Sequence, residues 1–267
     1  MKSYPKMKSA LLISTYNWPE ALKLVLKSVL NQTKSVDEII IADDGSGEET
    51  RLVINDFKLI SNVPVKHVWQ NDQGFRKAKI LNKAIASSIA DYIIEVDGDC
   101  VLNKNFVKDH LRMSERKVFL YGSRVNILEK FVSSVLKCQK TNFSFLSKEI
   151  KNRTRTIRIP LLSKFYKKRT NLSKKLRGCN ISFWREDLIA VNGYNEDFEG
   201  WGREDSELFL RILNLGVKGR RLRFGGIVYH IWHKEKSKSK ISVNNRIEKQ
   251  TLSNKLLRCE NGIDKYL

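Results

Sequence analysis

The sequence has few cysteines and no long apolar run, and each shortage narrows the class of protein. Its four cysteines (Cys100, Cys138, Cys179 and Cys259) form no Cys-x-x-Cys pair, which predicts buried or free thiols in a reducing cytoplasm. No apolar run reaches the roughly 18 residues of a membrane-spanning helix, and the first residues lack the apolar core of a signal peptide. We therefore expect a cytoplasmic protein of one large or two small domains.

Acidic residues are scarce relative to basic ones. Fifty lysines and arginines face 29 acids, which gives a net charge of +21. Residues 148–177 hold twelve basic residues and one acid, and residues 234–258 hold eight and two. Such a balance is typical of proteins that bind nucleic acid, an anionic membrane or a polyanionic substrate. Apolar side chains within the first segment favour an element at a membrane surface, and a lid or a groove for a polyanionic acceptor is the alternative. These side chains are Ile157, Ile159, Leu161, Leu162, Phe165 and Tyr166.

The first half of the chain alternates between short apolar runs and amphipathic segments. This alternation predicts an α/β fold with a mainly parallel sheet and helices on both faces. The pattern loosens from residue 126 to 177 and returns at residue 178. The predicted strands are 10–15, 37–43, 63–70, 91–96, 117–121, 178–184, 217–224 and 226–231, and the predicted helices are 19–30, 48–60, 76–88, 204–215 and 243–258.

Two closely spaced carboxylates follow the predicted strand at residues 91–96. Asp97 and Asp99, separated by Gly98, fall at the carboxyl end of a strand, where ligands bind in open α/β sheets. A cation would offset their repulsion, and hard oxygen ligands suit Mg²⁺ or Mn²⁺. Asp-Gly-Asp also occurs in ordinary turns, but its position after a buried strand favours a metal site.

A second acidic cluster lies in Gly200-Trp-Gly-Arg-Glu-Asp-Ser-Glu207. Two glycines bracket Trp201 and allow turn conformations that present its ring on a loop. Glu204 and Asp205 begin an amphipathic helix, whose dipole favours negative charge at this end. A ring beside a carboxylate suits a sugar, which stacks on the ring while a hydroxyl gives its proton to the carboxylate. Helix capping alone would explain the acids but not the ring.

Gly45-Ser-Gly47 lies between a strand and a helix, as a dinucleotide fingerprint would. The third position of that fingerprint is Thr50, and Asp43 and Asp44 precede the turn, where they would repel a pyrophosphate. The sequence therefore argues against a nicotinamide-dependent enzyme. We expect the two aspartates to hydrogen-bond a base or a ribose instead.

Together these motifs resemble those of the inverting, GT-A fold glycosyltransferases of family 2. The second half is similar to the galactosyltransferase-type module of β-1,4-galactosyltransferases, polypeptide N-acetylgalactosaminyltransferases and bacterial chondroitin polymerases. The resemblance covers residues 9–125 and 178–233. Its motifs are Ile13-Ser-Thr-Tyr-Asn17, Ile41-Ala-Asp-Asp-Gly-Ser46, Gly74-Phe-Arg-Lys-Ala-Lys-Ile-Leu-Asn82 and Val96-Asp-Gly-Asp99, then Arg177-Gly-Cys-Asn-Ile-Ser182, Gly200-Trp-Gly-Arg-Glu-Asp205 and Val228-Tyr-His-Ile-Trp-His233.

The resemblance implies one GT-A catalytic domain over residues 1–267. A Rossmann-like lobe at residues 1–125 would bind the nucleotide sugar. It would continue into a smaller lobe at residues 178–267 that binds the acceptor, carries the catalytic base and contains the basic C-terminal helix. The basic amphipathic segment at residues 126–177 lies outside the resemblance.

The resemblance also implies roles for individual residues. Asp99 would bind Mn²⁺ or Mg²⁺, Asp97 would contact the metal or the ribose, and a histidine near the C-terminus would supply another ligand. Alignment favours His230, and His233 is a rival because His-x-x-His can present both rings at one site. Nucleotide contacts are implied for Ser14, Tyr16, Asn17, Asp44, Arg76 and Asp97, and sugar contacts for Asn180, Trp201, Gly202 and Arg203.

The implied reaction is direct displacement with inversion, in which Asp205 is the general base and Glu204 orients hydroxyls. Arg203 stands where a glycine is common, and it indicates an acidic or phosphorylated acceptor. The resulting prediction is metal-dependent transfer of a hexose or N-acetylhexosamine, with galactose-type sugars favoured, from a UDP-sugar. The acceptor would be a glycan or a lipid-linked sugar of cell-envelope polysaccharide, at the cytoplasmic face of the membrane.

Two other classes of protein share some of these features. A sugar-phosphate nucleotidyltransferase has a similar α/β lobe and metal carboxylates, but it would carry a Gly-rich basic loop where Ser14-Thr-Tyr-Asn-Trp18 stands. A nucleic-acid-binding protein would explain the net charge but not the two acidic clusters. Only Phe165 and Tyr166 are aromatics interleaved with the basic runs, so we expect no nucleic-acid partner.

Overall fold

A computed structural model describes residues 7–234 and 237–267 of this protein. Residues 1–6 of the predicted first lobe and residues 235–236 of the basic segment at 234–258 lie outside the described residues. The strands are β1 (Ser9–Thr15), β2 (Glu38–Asp43), β3 (Val65–Trp69), β4 (Tyr92–Asp97), β5 (Cys100–Leu102), β6 (Val118–Tyr121), β7 (Ser123–Ile127), β8 (Ile150–Lys151), β9 (Asn180–Trp184), β10 (Lys218–Arg221) and β11 (Ile227–His230). The helices are α1 (Pro19–Leu30), α2 (Glu48–Ile60), α3 (Lys77–Ala86), α4 (Phe106–Met113), α5 (Val132–Lys137), α6 (Pro160–Ser163), α7 (Arg185–Ala190), α8 (Glu204–Asn214) and α9 (Ile241–Ser253). Short 3₁₀ helices lie at Glu129–Phe131, Arg153–Thr156 and Ile263–Tyr266.

The main sheet has the strand order β10-β6-β9-β4-β1-β2-β3 within the described residues. Strands β1, β2, β3 and β4 pair in parallel, and so do β6 and β10. Strand β9 is antiparallel to both of its neighbours, β4 and β6. The second half of the chain therefore completes the sheet that the first half begins.

Both faces of this sheet are covered, as the alternation of strands and helices predicts. In β1, Leu11 and Ile13 pack into the core on the side of α1 and α2, while Ala10 and Leu12 pack into the core on the side of α3 and α8. This arrangement follows from the two-residue period of a strand, which sends alternate side chains to opposite faces. Each fully buried leucine or isoleucine contributes about 1.5–3 kcal/mol.

A smaller sheet, in the order β5-β11-β7-β8, lies beside the main one in the part of the chain that the structure describes. Strand β5 begins directly after the Asp97-Gly98-Asp99 turn and pairs antiparallel with β11, so that His230 faces Cys100 in the register. The amide of Ile231 extends this ladder by donating to the carbonyl of Asp99 at 2.9 Å. The pairing carries the C-terminal histidines to the aspartates.

The predicted mainly parallel α/β fold is confirmed, and the predicted helices and strands of the first half are all present. The last predicted helix, 243–258, is observed as Ile241–Ser253. It ends early because Lys255 adopts a left-handed backbone conformation with φ of 48°, which does not continue an α-helix. None of the helices in the described ranges is long and apolar enough to cross a bilayer.

Glu95 in β4 makes the stability of the fold depend on pH. Its carboxylate is fully buried, accepts hydrogen bonds from the Tyr194 hydroxyl at 2.9 Å, and has its pKa raised to about 8 by burial. The folded chain therefore keeps a proton that the unfolded chain loses near pH 4.5. Between these values stability falls as pH rises, by about 1.4 kcal/mol per pH unit for one proton.

We expect Glu95→Gln to flatten this dependence, because glutamine keeps the shape and does not titrate. Urea unfolding at pH 6 and pH 8 should show a smaller loss of unfolding free energy for Glu95→Gln than for the wild type. Glu49→Gln, at an exposed glutamate of α2, is the control and should follow the wild type. Parallel curves for Glu95→Gln and the wild type would contradict the assignment.

Candidate active site

The carboxyl ends of β1, β2 and β4 meet at one edge of the main sheet and border a cavity of about 1060 Å³. This follows from parallel pairing, which aligns the carboxyl ends of neighbouring strands. Both acidic clusters predicted from the sequence reach this cavity. Its lining includes Ser14, Asp44, Asp97 and Asp99 from the first half of the chain, and Glu204 and Asp205 from the second.

One side of the cavity is formed by residues that follow β1 and β2. Asp44 accepts hydrogen bonds from the Gln70 amide at 2.6 Å and from the backbone amide of Arg76 at 2.8 Å. Burial raises the pKa of this carboxyl group, although the two hydrogen bonds act to lower it. The hydroxyl of Tyr16 donates to Asp72 at 2.8 Å, and its ring lines the cavity with Asn17. This wall offers a carboxylate and an aromatic ring to a ligand.

Asp97 is held by two partners at the end of β4. Its Oδ1 accepts from the Ser14 hydroxyl at 2.8 Å and from the Lys77 ammonium at 2.6 Å. Burial alone would lower the pKa of Lys77, but the charges of Asp97, Glu204 and Glu95 hold it well above its usual value. Lys77 therefore remains a cation between the two acidic clusters.

Asp99, His230 and His233 form a three-residue cluster whose ligand atoms lie within 4.8 Å of one another. Asp99 Oδ2 is 3.6 Å from His230 Nε2 and 3.2 Å from His233 Nε2. Burial lowers the pKa of His230 and favours the neutral ring that metals bind. His233 Nδ1 donates to the carbonyl of Lys234 at 2.9 Å, which orients the ring so that Nε2 is directed at Asp99. One carboxylate and two imidazoles fit a divalent transition metal such as Mn²⁺.

Glu204 and Asp205 begin α8 and line the same cavity. Asp205 accepts hydrogen bonds from the amide of Gly178 at 2.7 Å and from that of Ser206 at 2.7 Å. Glu204 is half-buried, and burial of its carboxyl group and the charge of Asp205 raise its pKa to about 7. Among the described residues no group hydrogen-bonds its Oε2 atom. The pair thus offers one fixed carboxylate and one acid that titrates near neutral pH.

Trp201 stands on the loop before α8 and is 42% exposed. Gly200 and Gly202 have φ angles of 70° and 103°, which the two glycines make accessible. Arg203 is also left-handed, at φ of 81°. Its guanidinium donates to Asn245 at 2.8 Å and lies 3.4 Å from Glu248, so that it joins this loop to α9.

The family model described as Glycosyl transferase family 2 matches residues 10–172, which is more than half of the chain. The chain belongs to glycosyl transferase family 2. A second model, the N-terminal domain of galactosyltransferase, matches residues 161–234 and so includes the Trp201 loop, the acids of α8 and both histidines. The recognition of a family 2 enzyme with a galactosyltransferase-type module is confirmed.

Individual proteins give the same classification for this family 2 chain. Chondroitin synthase of Escherichia coli is 27% identical over 241 residues, which are 83% of this chain and 34% of that protein. The chain thus spans about a third of that relative. UDP-Glc:alpha-D-GlcNAc-diphosphoundecaprenol beta-1,3-glucosyltransferase WfaP of Escherichia coli is 25% identical over 223 residues, which are 83% of this chain and 76% of that protein. The crystal structure of GalNAc-T7 has a TM-score of 0.62 at 18% identity, covering 86% of this chain and 44% of the other. This last likeness supports the GT-A fold.

Two of the predicted site residues are directed elsewhere in this family 2 chain. The Asn180 amide is buried, donates to the carbonyls of Ser123 and Gly226, and lies 3.1 Å from His110, so that its polar atoms are used in the core. The guanidinium of Arg76 pairs with Glu199, and only its backbone amide supports Asp44. Neither side chain lines the cavity.

Lys77 was missed by the sequence reasoning. A lysine at the start of a helix usually points to solvent, and no local pattern distinguishes this one. Two features of the sequence could have indicated Lys77. It follows Arg76 directly in the motif Gly74-Phe-Arg-Lys-Ala-Lys-Ile-Leu-Asn82, and the acids of the two predicted clusters need a positive charge nearby.

Proposed function

We propose that this chain is a metal-dependent, inverting glycosyltransferase that uses a UDP-sugar donor. It moves a hexose or an N-acetylhexosamine to a glycan or lipid-linked acceptor in cell-envelope polysaccharide synthesis. The observation that carries the proposal is one cavity lined by Asp99 and His233, two members of the three-residue cluster, and by the Glu204–Asp205 pair. The match to a galactosyltransferase domain favours a galactose-type sugar.

The names of similar proteins support this reading. WfaP is named for UDP-Glc and a diphosphoundecaprenol acceptor. GalNAc-T7 is described with UDP, GalNAc and Mn²⁺. These names point to a UDP-sugar, a divalent metal and acceptors of the glycan or lipid-linked class.

The nucleotide would lie against the wall formed after β1 and β2. Tyr16 would face the uracil, and Asp44 would accept hydrogen bonds from the base or ribose. Ser14, Asn17 and Asp97 lie along the same wall. Asp97, whose carboxylate accepts a hydrogen bond from Lys77, would contact the ribose. It would contact the metal instead if Lys77 moved away.

Asp99, His230 and His233 would hold Mn²⁺ or Mg²⁺, and two imidazole ligands favour Mn²⁺. When bound, the cation neutralises the negative charge that develops on the leaving diphosphate. Lys77 adds a fixed positive charge on the other side of Asp97. Together these residues would stabilise UDP as a leaving group.

Asp205 would remove the proton from the acceptor hydroxyl as that oxygen attacks the anomeric carbon. The amides of Gly178 and Ser206 hold its carboxylate in one orientation, so that the base is positioned before the acceptor arrives. Glu204 would orient hydroxyls of the sugars, and Trp201 would stack on a sugar ring beside Gly202 and Arg203. Direct attack from the face opposite UDP gives inversion.

We also propose that the enzyme works at the inner face of a membrane, through a peripheral contact. Leu161 and Phe165 are 62% and 79% exposed on and just after α6. The surrounding segment, residues 148–177, carries twelve basic residues. Exposed apolar side chains within such a segment fit a peripheral contact with anionic lipid.

The test is release of UDP from a panel of UDP-sugars by the purified protein with Mn²⁺. We expect one donor to release UDP, and we expect a chelator to stop the release, because the metal stabilises the leaving group. Asp205→Asn is the matched control: it should still bind UDP but should lose transfer. The proposal would be contradicted if no nucleotide sugar released its nucleotide and if none of them shifted the unfolding temperature of the protein.

A further inference from the structure

Five arginines, two of which line the cavity, are close enough for their charges to interact. We call them the arginine track: Arg124, Arg155, Arg177, Arg221 and Arg223. Arg155 donates from Nη1 to the carbonyl of Arg124 at 2.9 Å, and Arg223 donates from Nη2 to the carbonyl of Thr154 at 3.0 Å. These arginine side chains thereby join the 3₁₀ helix Arg153–Thr156 to strand β7 and to the segment that follows β10.

The charges along the track are of one sign. Burial lowers the pKa of Arg155, and so do the neighbouring charges of Arg221, Arg124 and Arg177. Burial, Arg221 and Arg155 likewise lower the pKa of Arg223. Nearby basic residues outside the track are neutralised: Arg158 forms a bidentate pair with Asp109, and Arg220 lies 3.3 Å from Glu115. An anion would relieve the repulsion that the track itself carries.

Two track residues also have buried donors that are not used. Within residues 7–234 and 237–267, neither Arg221 Nε nor Arg223 Nη1 has a hydrogen-bond partner. A buried donor left unpaired costs free energy. Guanidinium groups bind phosphate through two parallel hydrogen bonds, and phosphate oxygens only accept. The unpaired donors therefore match the chemistry of a phosphate group.

The track has two different ends. At one end Arg124 and Arg177 line the cavity, and Arg124 lies beside Cys179 and near Asp99. At the other end the carbonyl of Arg223 accepts from Ser163, and the carbonyl of Phe224 accepts from Ile159 at 3.0 Å. That end is therefore attached to α6, the helix that precedes the exposed Phe165 and contains the exposed Leu161.

We propose that the arginine track binds the diphosphate of a lipid-linked acceptor, with the sugar in the cavity and the lipid toward α6. This inference rests on the proposed function, whose acceptor class it narrows. The order of cavity, cations and exposed apolar side chains matches the order of sugar, diphosphate and hydrocarbon in such a molecule. A polyanionic glycan would use the cations but would leave Leu161 and Phe165 without a role.

Farnesyl diphosphate is a suitable probe because it has the diphosphate and the hydrocarbon but no sugar. Calorimetric titration in saturating UDP and Mn²⁺ should show binding of farnesyl diphosphate and much weaker binding of farnesol. Arg155→Gln and Arg221→Gln should each weaken farnesyl diphosphate about tenfold or more. Arg155→Lys, which keeps the charge but not the bidentate geometry, should lose less. Arg153→Gln, at an exposed arginine of the same 3₁₀ helix, is the control and should bind as the wild type does.

Three results would overturn the inference: equal binding by Arg155→Gln, Arg221→Gln and the wild type, competition between UDP and farnesyl diphosphate, or tighter binding of a hyaluronan hexasaccharide. UDP affinity and UDP release are measured on the same samples. If the wild type does not bind farnesyl diphosphate but releases UDP normally, the anion site alone is overturned. Absence of UDP release with intact, arginine-dependent binding overturns the proposed function and supports the anion site.

Discussion

Replacing Asp99 by alanine is expected to abolish sugar transfer while the chain remains folded. Asp99 provides the carboxylate of the cluster with His230 and His233, and the imidazoles alone would hold a divalent metal weakly. Loss of the metal removes several kcal/mol of stabilisation from the leaving diphosphate, which corresponds to about 10³-fold or more in rate. The measurement is transfer as a function of Mn²⁺ concentration, with Mn²⁺ affinity determined on the same protein.

Asp56→Ala is a matched control for Asp99→Ala, because Asp56 is an exposed aspartate of α2 outside the cavity. It should leave Mn²⁺ affinity and transfer unchanged. Thermal unfolding should show that Asp99→Ala is still folded. Full activity of the wild type in EDTA, or normal Mn²⁺ affinity of Asp99→Ala, would remove the metal role from this cluster.

Asp205→Asn is expected to reduce transfer by about 10²-fold or more, on the usual scale of general-base effects. Asparagine retains the shape and can accept one of the two hydrogen bonds, from Gly178 or from Ser206, with its single carbonyl oxygen, but it takes up no proton. The affinity for UDP should survive, because in the proposed function Asp205 contacts the acceptor and not the nucleotide. The measurement is single-turnover transfer from bound donor, with UDP affinity determined in parallel.

Glu204→Gln is the informative comparison with Asp205→Asn. The charge of Asp205 helps to raise the pKa of Glu204, so Asp205→Asn should also lower that pKa and shift any pH dependence that Glu204 causes. If Glu204→Gln lost more transfer than Asp205→Asn, the roles of the two acids would be exchanged. If UDP affinity fell in Asp205→Asn while bound donor still reacted normally, the base would lie elsewhere.

Local patterns were sufficient for the first half of the fold. The apolar runs of β1, β2 and β4 are long enough, and the helices between them amphipathic enough, to be predicted without knowledge of pairing partners. Strand β5, by contrast, has three residues and no period of its own. It exists because β11 pairs with it, and that partner lies more than a hundred residues later in the chain.

The candidate site shows the same division. Asp99, Glu204 and Asp205 were predicted because each sits at the end of a strand or the start of a helix, where sequence indicates position. The sequence left open which of the two histidines lies near Asp99. In the structure both His230 and His233 do, because the β5–β11 pairing fixes their distances from Asp99. The partners of the Asn180 amide, Ser123 and Gly226, could not be predicted from local sequence because they come from segments that only tertiary pairing brings together.

The position of β9 in the sheet has a consequence while the chain is being synthesised on the ribosome. Strand β4 is synthesised long before β9, and until β9 arrives one edge of β4 has no partner in the sheet. Unpaired edges invite association with other chains. An engineer who exchanges the second half of the chain between related enzymes would therefore have to keep Asn180–Trp184 with the strand it pairs with, because β4 has an unpaired edge without it.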